Sequence, residues 1–154
     1  MGGRLDYVPP MRPHSPTLAG SMSPFPYSIH PDATLRDARA MMGEHDIHHL
    51  PVTAPDGTIL GMISDADVLL AGQLAGEKAG DALVETVYAR EPYVVDLHAE
   101  LSEVVGHMAE QRIGSAIVTR RGKLAGILTH TDVCRVLAEL LDEISPPPES
   151  GRVA

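Results

Sequence analysis

The chain has 154 residues, and because 21 acidic residues outnumber 12 lysines and arginines, its formal net charge is −9 at pH 7. This charge opposes binding to a phosphate backbone, since basic residues do not cluster in the sequence, and we expect no nucleic-acid partner. No segment approaches the roughly 18 apolar residues of a membrane-spanning helix, and the amino terminus lacks the apolar run of a signal peptide. We therefore predict a cytoplasmic protein with no membrane partner.

Cys134 is the single cysteine, so an intrachain disulfide is excluded and a reducing compartment is favoured. A chain of this length can bury enough apolar surface to fold without disulfides. Nothing around Cys134 in the sequence would activate a thiolate, and we expect it to be a small, buried, apolar side chain.

Two similar segments lie between two irregular ends of the chain. Residues 1–20 are rich in proline and lack apolar periodicity, which predicts a flexible arm, and residues 145–154 predict a disordered tail for the same reason. Between these ends we assign a first repeat to residues 21–76, a linker to residues 77–86 and a second repeat to residues 87–144.

The two repeats align with one another over most of their length. The segment beginning at Pro26 matches the segment beginning at Pro92, which pairs Tyr27 with Tyr93. Further on, the offset falls from 66 to 65 residues because "APDG" is matched by "RRG", as a hairpin turn shortened by one residue would require. A repeat of this length, present only twice, predicts a tandem duplication packed as a pseudo-two-fold pair and not a solenoid.

Each repeat predicts the order strand, helix, strand, strand, helix, which is an α/β (α+β) fold. The extended segments "YSI" and "YVV" precede amphipathic helices, and Thr34 with Asp37 predicts a capping box at the first of these. Turns at Gly57 and Gly122 join apolar strands into hairpins. The closing helices, "DADVLLAGQLAG" and "HTDVCRVLAELLDEI", carry more apolar positions than one internal face needs, so we expect a homodimer.

The same turn closes both repeats, as "GMISDADV" and "GILTHTDV". Ser64 with Asp67, and Thr129 with Asp132, lie where a strand enters a helix, beside free backbone N–H groups and the positive end of the helix dipole. The hydroxyl can donate to a phosphate oxygen, and the carboxylate can accept from two ribose hydroxyls. The same pairs are also capping boxes that satisfy the helix itself. Both interpretations stay open, although two copies beside one interface favour a ligand.

Two other kinds of site receive little support from the sequence. His45, His48 and His49 are close together in "HDIHH", but this run spans a helix end and a strand start, so we expect the rings to diverge and predict no metal site. The sequence has no nucleophile elbow, HExxH motif or P-loop. No base is positioned beside Ser64 or Thr129, so we predict no catalytic residue and no enzyme.

The duplicated unit, with a turn of the form G-apolar-x-S/T-x-x-D closing each repeat, resembles the CBS domain pair, or Bateman module, over residues ~20 to 141. "HHLPVTAPDGTILGMISDADV" and "VETVYAREPYVV" are particularly similar to the family pattern. The resemblance implies a regulatory module that is not an enzyme and binds AMP, ADP, ATP or S-adenosylmethionine in clefts between the repeats. It also implies a homodimer that passes ligand occupancy to an effector protein. The alternative is a structural dimerisation or scaffold module with non-functional clefts.

The resemblance also implies which residues contact the ligand. Thr129 and Asp132 would hold phosphate and ribose in one cleft, and Ser64 and Asp67 would do so in the other. The remaining implied residues contact the adenine edge, the apolar wall or the turn; they are Tyr27, Ser28, Ile29, His49, Leu50, Pro51, Val94, Val95, Gly114, Ser115, Ala116 and His130.

The chain departs from the family pattern inside the turns. Nucleotide-binding members often carry Arg or Lys there, whereas this chain has "SDAD" and "THTD". Asp65 adds negative charge beside a bound phosphate, which costs affinity, and His130 does not. We therefore predict that the Thr129 cleft is the better phosphate site and that the Ser64 cleft is weak, empty or suited to an adenosyl group. AMP or S-adenosylmethionine is then favoured over ATP.

Overall fold

The structure, a computed structural model, describes residues 15–24 and 26–145. Its helices are α1 (Leu18–Ser21), α2 (Leu35–His45), α3 (Asp65–Ala75), α4 (Leu101–Gln111) and α5 (His130–Ile144). Its strands are β1 (Ser23–Pro24), β2 (His49–Thr53), β3 (Ile59–Ser64), β4 (Val94–Asp96), β5 (Ser115–Arg120) and β6 (Lys123–Thr129). Two 3₁₀ turns, Gly76–Asp81 and Val84–Thr86, connect the halves.

The predicted mixed α+β fold and its duplication are confirmed. The first half contains α2, β2, β3 and α3, and the second contains β4, α4, β5, β6 and α5. In each half the two long strands form an antiparallel hairpin with a register shift, and the turns at Gly57 and Gly122 have φ of 87° and 75°. These positive φ angles favour glycine. The first extended segment is shorter than its counterpart β4 and makes one parallel bridge, from Ile29 to Val52.

The predicted capping box at α2 is confirmed. The Thr34 side chain accepts from the Asp37 N–H, and the Asp37 carboxylate accepts from the Thr34 N–H, so two otherwise unpaired donors are satisfied. Helices α2 and α4 end at matching residues in the left-handed conformation, Asp46 with φ of 52° and Arg112 with φ of 55°. The duplication therefore extends to the way these helices terminate.

Each half has its own apolar core, and a third cluster joins them. The apolar residues of α2 and its hairpin are buried in the first core, and those of α4 and its hairpin are buried in the second. Met62, Ile117 and Ile127 pack together across the two hairpins, and we call this contact the seam. Burial at the seam holds the hairpins back to back, since apolar area removed from water is the main favourable term in folding.

The segments that precede the halves are exchanged between them. Strand β1 pairs with β6 of the second half, where Ser23 is opposite Ile127. Reciprocally, Ala89 exchanges two backbone hydrogen bonds of 2.9 and 3.0 Å with Met62 of the first half. Leu18 lies in the second core and Val84 in the first. We call residues 18–24 and 84–89 the lead-in segments; the first completes the second half, and the second completes the first half.

The predicted arm at residues 1–20 falls mostly outside the described residues, as does the tail beyond Ser145. Helix α1 begins within the described part of the arm and packs against the second half, and its residues Leu18 and Ser21 are buried. The predicted linker at residues 77–86 contains the buried Val84. Ordered packing thus begins before residue 21, while the domain boundaries themselves stay predictions.

The closing helices leave apolar side chains in solvent. Leu69, Leu70 and Leu74 of α3 are exposed, and so are Leu137, Leu141 and Ile144 of α5. The prediction that Cys134 is buried is wrong, because this residue lies on the outer side of α5 and is exposed. Among the described residues, no helix combines the length and apolarity needed to cross a membrane.

Candidate ligand-binding clefts

The two repeated turns both form capping boxes. In the first, the Asp67 Oδ2 atom accepts from the Ser64 N–H at 2.8 Å and from the Ser64 hydroxyl at 2.7 Å. In the second, the Asp132 Oδ2 atom accepts from the Thr129 N–H and hydroxyl, both at 2.8 Å. The capping interpretation is therefore correct for both turns. A ligand would meet the remaining carboxylate oxygen, Oδ1, and the surrounding charges.

The Oδ1 atom of Asp132 already has protein partners. It accepts from an Arg135 guanidinium N–H at 2.9 Å and from the Ser23 hydroxyl at 3.4 Å. The same Arg135 nitrogen also donates to the Ser21 carbonyl at 3.2 Å. Asp132 is only 4% exposed, so the guanidinium compensates a charge that would otherwise be costly to bury. The first lead-in segment is thereby bonded to the second turn.

The corresponding atom of Asp67 lies in a different environment. The alignment of the halves places Ala89 at the position of Ser23 and Leu70 at the position of Arg135. Neither side chain can donate a hydrogen bond. Within the described residues, the Asp67 Oδ1 atom has no hydrogen-bond partner, and the charge of this carboxylate has no cation in contact.

A cavity of about 470 Å³ lies beside the second turn, and we call it the larger cavity. It is bounded by the turn itself, by the chain around β1, by the segment between α2 and β2, and by Gly114. Its lining residues are Ser23, Pro24, Pro26, Tyr27, Asp46, Ile47, His48, His49, Gly114, Ile127, Thr129, His130, Thr131 and Asp132. The volume falls within the range of about 300–1,000 Å³ that is typical of small-molecule sites.

A cavity of about 200 Å³ lies beside the first turn, and we call it the smaller cavity. Ser64 and Asp67 line it together with Glu91, which follows the second lead-in segment. His49 and Gly114 border both cavities, so the two spaces share one wall at the seam. A third hollow of about 370 Å³ lies between α2 and α3 and contains neither turn hydroxyl.

The predicted ligand residues divide into two groups. Those that border a cavity are Tyr27, His49, Ser64, Asp67, Gly114, Ser115, Thr129, His130 and Asp132. Those that border none of the three cavities are Ser28, Ile29, Leu50, Pro51, Val94, Val95 and Ala116. Of these, Ile29, Leu50, Pro51 and Ala116 are buried.

The main chain of Ile29 is already bonded to β2. Its N–H donates to the Pro51 carbonyl at 2.9 Å, and its carbonyl accepts from the Thr53 N–H at 2.9 Å. Recognition of an adenine edge by the Ile29 N–H would require this bridge to break. The matching residue Val95 is paired with Val118 in the parallel ladder of the second half.

Several residues that contact the second turn or border the cavities were not predicted from the sequence. Arg135 could have been noticed, because a cation three residues after Asp132 lies on the same side of a helix. Ser23 could not, since it is 109 residues away from Asp132 in the chain and is brought there by the exchanged lead-in segments. Asp46, His48 and Glu91 likewise follow from the packing of the two halves.

The histidines of "HDIHH" have different partners. His45 stacks on Tyr27 with ring centroids 3.7 Å apart, and the His48 Nδ1 atom lies 2.8 Å from the Asp65 carboxylate. His49 faces the cavities, and its burial lowers the pKa of the imidazole below the ordinary value of 6.5. Asp65 and Asp67 oppose this shift, while His48 and His130 reinforce it. Within the described residues, no group of three or more His, Cys, Asp or Glu side chains could hold a metal ion.

Comparison with known proteins identifies the family. The CBS domain model matches residues 18–73 and 84–139. Hypoxic response protein 1 of Mycobacterium tuberculosis (strain CDC 1551 / Oshkosh) is 33% identical over 106 residues, which are 69% of this chain and 74% of that protein. The crystal structure of Hypoxic Response Protein I with two coordinated zinc ions has a TM-score of 0.67 and 29% identity, and the match covers 78% of this chain and 98% of that one.

Two solved structures with adenosine compounds are also similar. CBSX2 in complex with AMP has a TM-score of 0.69 and 25% identity, over 81% of this chain and 98% of that one. The CBS domain pair of protein MJ0100, in complex with 5′-methylthioadenosine and S-adenosyl-L-methionine, has a TM-score of 0.73 over the same shares of the two chains, but its 22% identity supports the fold alone. The two family matches, the duplicated fold and the paired turns agree, and the chain belongs to the CBS domain family as a tandem pair of CBS domains.

Proposed function

We propose that this CBS domain pair is a regulatory module that binds an adenosine-containing ligand in the cavities at the seam and passes occupancy to a partner. The observation that carries the proposal is that both repeated turns border cavities at the same seam, one of which has the volume of a small-molecule site. The AMP bound to CBSX2, a similar CBS protein, supports the ligand class. We propose no catalytic role for either turn hydroxyl.

The larger cavity is the better candidate for a ligand that carries phosphate. Thr129 and the first residues of α5 border it, and the helix dipole favours negative charge there. The His130 N–H already donates to the Gly114 carbonyl and the Asp132 N–H to the Thr129 hydroxyl, so the dipole and not these donors supports the proposal. Arg135 offsets the carboxylate of Asp132, so this carboxylate repels a phosphate less than an unpaired one would. These features favour AMP in the larger cavity.

The smaller cavity favours a ligand with little negative charge. Its volume is less than half that of the larger cavity, and the carboxylates of Asp67 and Glu91 both border it. Asp65, the first residue of α3, lies beside the same turn but borders the third hollow and contacts His48, so it contributes less. We therefore assign it weak binding, or binding of an adenosyl group such as that of S-adenosylmethionine. ADP and ATP carry more negative charge and fit this environment less well.

The exposed apolar residues of α3 and α5 support a homodimer. Leu74 is 80% exposed and Ile144 is 68% exposed, and the two closing helices together present six such residues to solvent. Exposed apolar surface of this kind is common at protein interfaces. We propose that two chains pair through these helices and that an effector protein responds to ligand occupancy.

The exposed free thiol of Cys134 is consistent with a reducing cytoplasm.

One observation favours a second function, a structural dimerisation module with non-functional clefts. Both turns are closed by their own capping boxes, and the Asp132 Oδ1 atom is occupied by Arg135 and Ser23. A ribose would have to displace the Ser23 hydroxyl to reach this oxygen. The dimer surface, in contrast, would function without a ligand.

A thermal-shift panel with AMP, ADP, ATP, S-adenosylmethionine and adenosine tests the proposal, followed by calorimetric titration. A ligand at 100 times its Kd should stabilise the folded state by about 2.7 kcal/mol. We expect AMP to stabilise the protein more than ATP and expect Thr129→Ala to remove more of the AMP effect than Ser64→Ala. The absence of any shift across the panel, with an intact dimer in light scattering, would favour the scaffold function.

A further inference from the structure

The imidazole rings of His49 and His130 lie close to the backbone of Gly114, at the wall that the two cavities share. A methyl group placed on Gly114 would lie 3.1 Å from Cε1 and 3.3 Å from Nδ1 of His130, and 3.8 Å from Nε2 of His49. Both rings therefore lie within 4 Å of one point, and the missing side chain of Gly114 leaves that point unfilled. The two histidines come from different halves, since His49 begins β2 and His130 begins α5.

The ring nitrogens of this pair are available to a ligand. Within residues 15–24 and 26–145, neither the His49 nor the His130 ring forms a hydrogen bond with a protein group, whereas the His48 and His98 rings each contact a carboxylate. Both His49 and His130 border the larger cavity beside the Thr129 hydroxyl. A protonated imidazole has two N–H donors and one positive charge, which suit a phosphate oxygen.

The charges that surround the pair decide how strongly a proton is held. Carboxylates approach from the segment before β2, from α3, from the second lead-in region and from α5; they are Asp46, Asp65, Asp67, Glu91 and Asp132. Two of these are already paired, since Asp65 contacts His48 and Asp132 contacts Arg135. The phenol of Tyr27 borders the same cavity. No lysine or arginine borders the larger cavity among the described residues.

We propose that His49 and His130 supply the positive charge that a phosphate group needs in the larger cavity, so that pH sets the preference of this module for phosphate-bearing over neutral adenosyl ligands. This inference rests on the proposed function. It assigns the task of an arginine or lysine in the turn to two histidines, the residue type that ordinarily changes charge near physiological pH. The module would then sense acidity and nucleotide together.

Proton linkage gives the direction of the effect. Burial favours the neutral form of His49 in the unliganded protein, and a bound phosphate, as an opposite charge nearby, favours the protonated form. Ligand binding then takes up protons, and affinity for a phosphate-bearing ligand rises as pH falls. If binding raises the pKa of one imidazole by about one, the affinity for the ligand changes by at most about tenfold between high and low pH. Adenosine lacks the phosphate and should not show this linkage.

The test is calorimetric titration of the full chain with AMP and with adenosine at pH 8.0, 7.0 and 6.0, in buffer with EDTA so that no metal bridges the imidazoles. The wild type is compared with His49→Gln/His130→Gln, and His98→Gln is the matched control because His98 borders none of the three cavities. The phosphate of AMP itself titrates near pH 6, and the ratio of wild-type to variant affinity at each pH cancels this contribution.

We expect the wild type to bind AMP about tenfold more tightly than the double variant at pH 6.0 and within about twofold of it at pH 8.0. Adenosine should bind both proteins within about twofold at each pH, and His98→Gln should match the wild type. A wild-type to variant ratio for AMP that is the same at all pH values overturns this inference and leaves the proposed function intact. Failure of both ligands to bind the wild type at any pH overturns both.

A second measurement does not depend on the variants. The pKa of His49 can be followed by NMR in the wild type with and without saturating AMP. We expect AMP to raise this pKa and adenosine to leave it unchanged. An equal effect of the two ligands would overturn the inference, because the phosphate would then have no part in protonation.

Discussion

The two capping-box turns show what duplication kept and what it changed. Both halves retain a hydroxyl and a carboxylate three residues apart, because a helix that starts at the end of a strand needs its first N–H groups satisfied. Around Asp132 the chain adds Ser23 and Arg135, whereas the matching positions hold Ala89 and Leu70. The box therefore serves the fold in both halves, and the residues around the two carboxylates differ between them.

The first residue of each closing helix also differs between the two halves. Asp65 opens α3 and His130 opens α5, at matching positions of the alignment. The first places a carboxylate beside the smaller cavity's turn, and the second places an imidazole beside the larger cavity. The two turns of common origin therefore differ in the residue that opens the helix beside them.

The crossing of the lead-in segments can be disrupted most strongly at Gly61. A side chain there would overlap the Ala89 carbonyl and the Tyr88 ring, whereas the matching Gly126 would mainly meet the flexible end of Met22 and, at 2.9 Å, the Ser23 carbonyl. We expect Gly61→Ala to reduce the free energy of unfolding by about 3 kcal/mol and Gly126→Ala by about 1 kcal/mol. Urea denaturation of both variants measures this difference.

Gly106→Ala is the matched control, because this glycine lies in α4 with no atom within 4 Å of an added methyl group. It should be neutral or stabilising by up to about 1 kcal/mol, as expected for Gly replaced by Ala in a helix. If Gly61→Ala were as mild as Gly106→Ala, the close approach of the second lead-in segment would be contradicted.

Exchanging the residues at the matching positions 70 and 135 tests the charge asymmetry. Arg135→Leu leaves the buried carboxylate of Asp132 without its cation, and we expect a loss of about 2 kcal/mol in the free energy of unfolding. Leu70→Arg should change stability by less than about 0.5 kcal/mol, since Leu70 is exposed. Chemical denaturation at low and at high salt measures both effects. Equal effects of the two substitutions would show that the turns are electrostatically alike.

The caps themselves should contribute equally to the two halves. Ser64→Ala and Thr129→Ala each remove an N-cap acceptor, and we expect each to cost about 1 kcal/mol of folding free energy. Thr34→Ala provides a control cap that borders none of the three cavities and should cost a similar amount. A loss confined to one turn would indicate that the other box does not form in solution.

The smallest expected effect is a pH dependence from His49. Its pKa in the folded protein lies below the unfolded value of 6.5, so the unfolded chain binds this proton first. The stability that this lowered pKa gives to the folded protein is fully present above about pH 6.5. It is lost as the pH falls below that value, because the unfolded chain then binds the proton more readily than the folded one. The exposed carboxylates with lowered pKa values, Asp37, Asp56 and Asp96, act only at lower pH.

Thermal denaturation of the wild type and His49→Gln between pH 7.5 and 5 measures this effect. The wild type should lose more stability than the variant over that range. A steeper loss in the variant would mean that the charged form of His49 stabilises the unliganded fold.

The fold could be predicted from the sequence because its signals are local or internal. Periodic apolar residues in α2 and α4, the glycines of the two hairpin turns and the repeated G-x-x-S/T-x-x-D turn each specify one element, and the duplication supplies each signal twice. The burial of Cys134 was predicted wrongly, because the outer side of α5 can only be assigned once the packing of that helix is known.

The sites could be predicted only in part. The hydroxyl and carboxylate residues of each turn and His49 border the cavities as predicted. Leu50 and Ala116 are buried in the cores instead, because neighbouring positions on a strand face opposite sides of the sheet. Ser23 and Glu91 reach the cavities through contacts between distant parts of the chain. No local pattern encodes such contacts, since they depend on how two halves pack.

The exchanged lead-in segments also determine how the chain must be assembled. Leu18 fills the core of the second half and Val84 that of the first, so neither half is a complete folding unit when it is cut at the connection between them. A break after α3 would leave each fragment without the piece that closes its own sheet edge. Two such fragments would have to recombine to restore the buried edges. The same dependence allows two intact chains at high concentration to form a domain-swapped dimer by exchanging their lead-in segments.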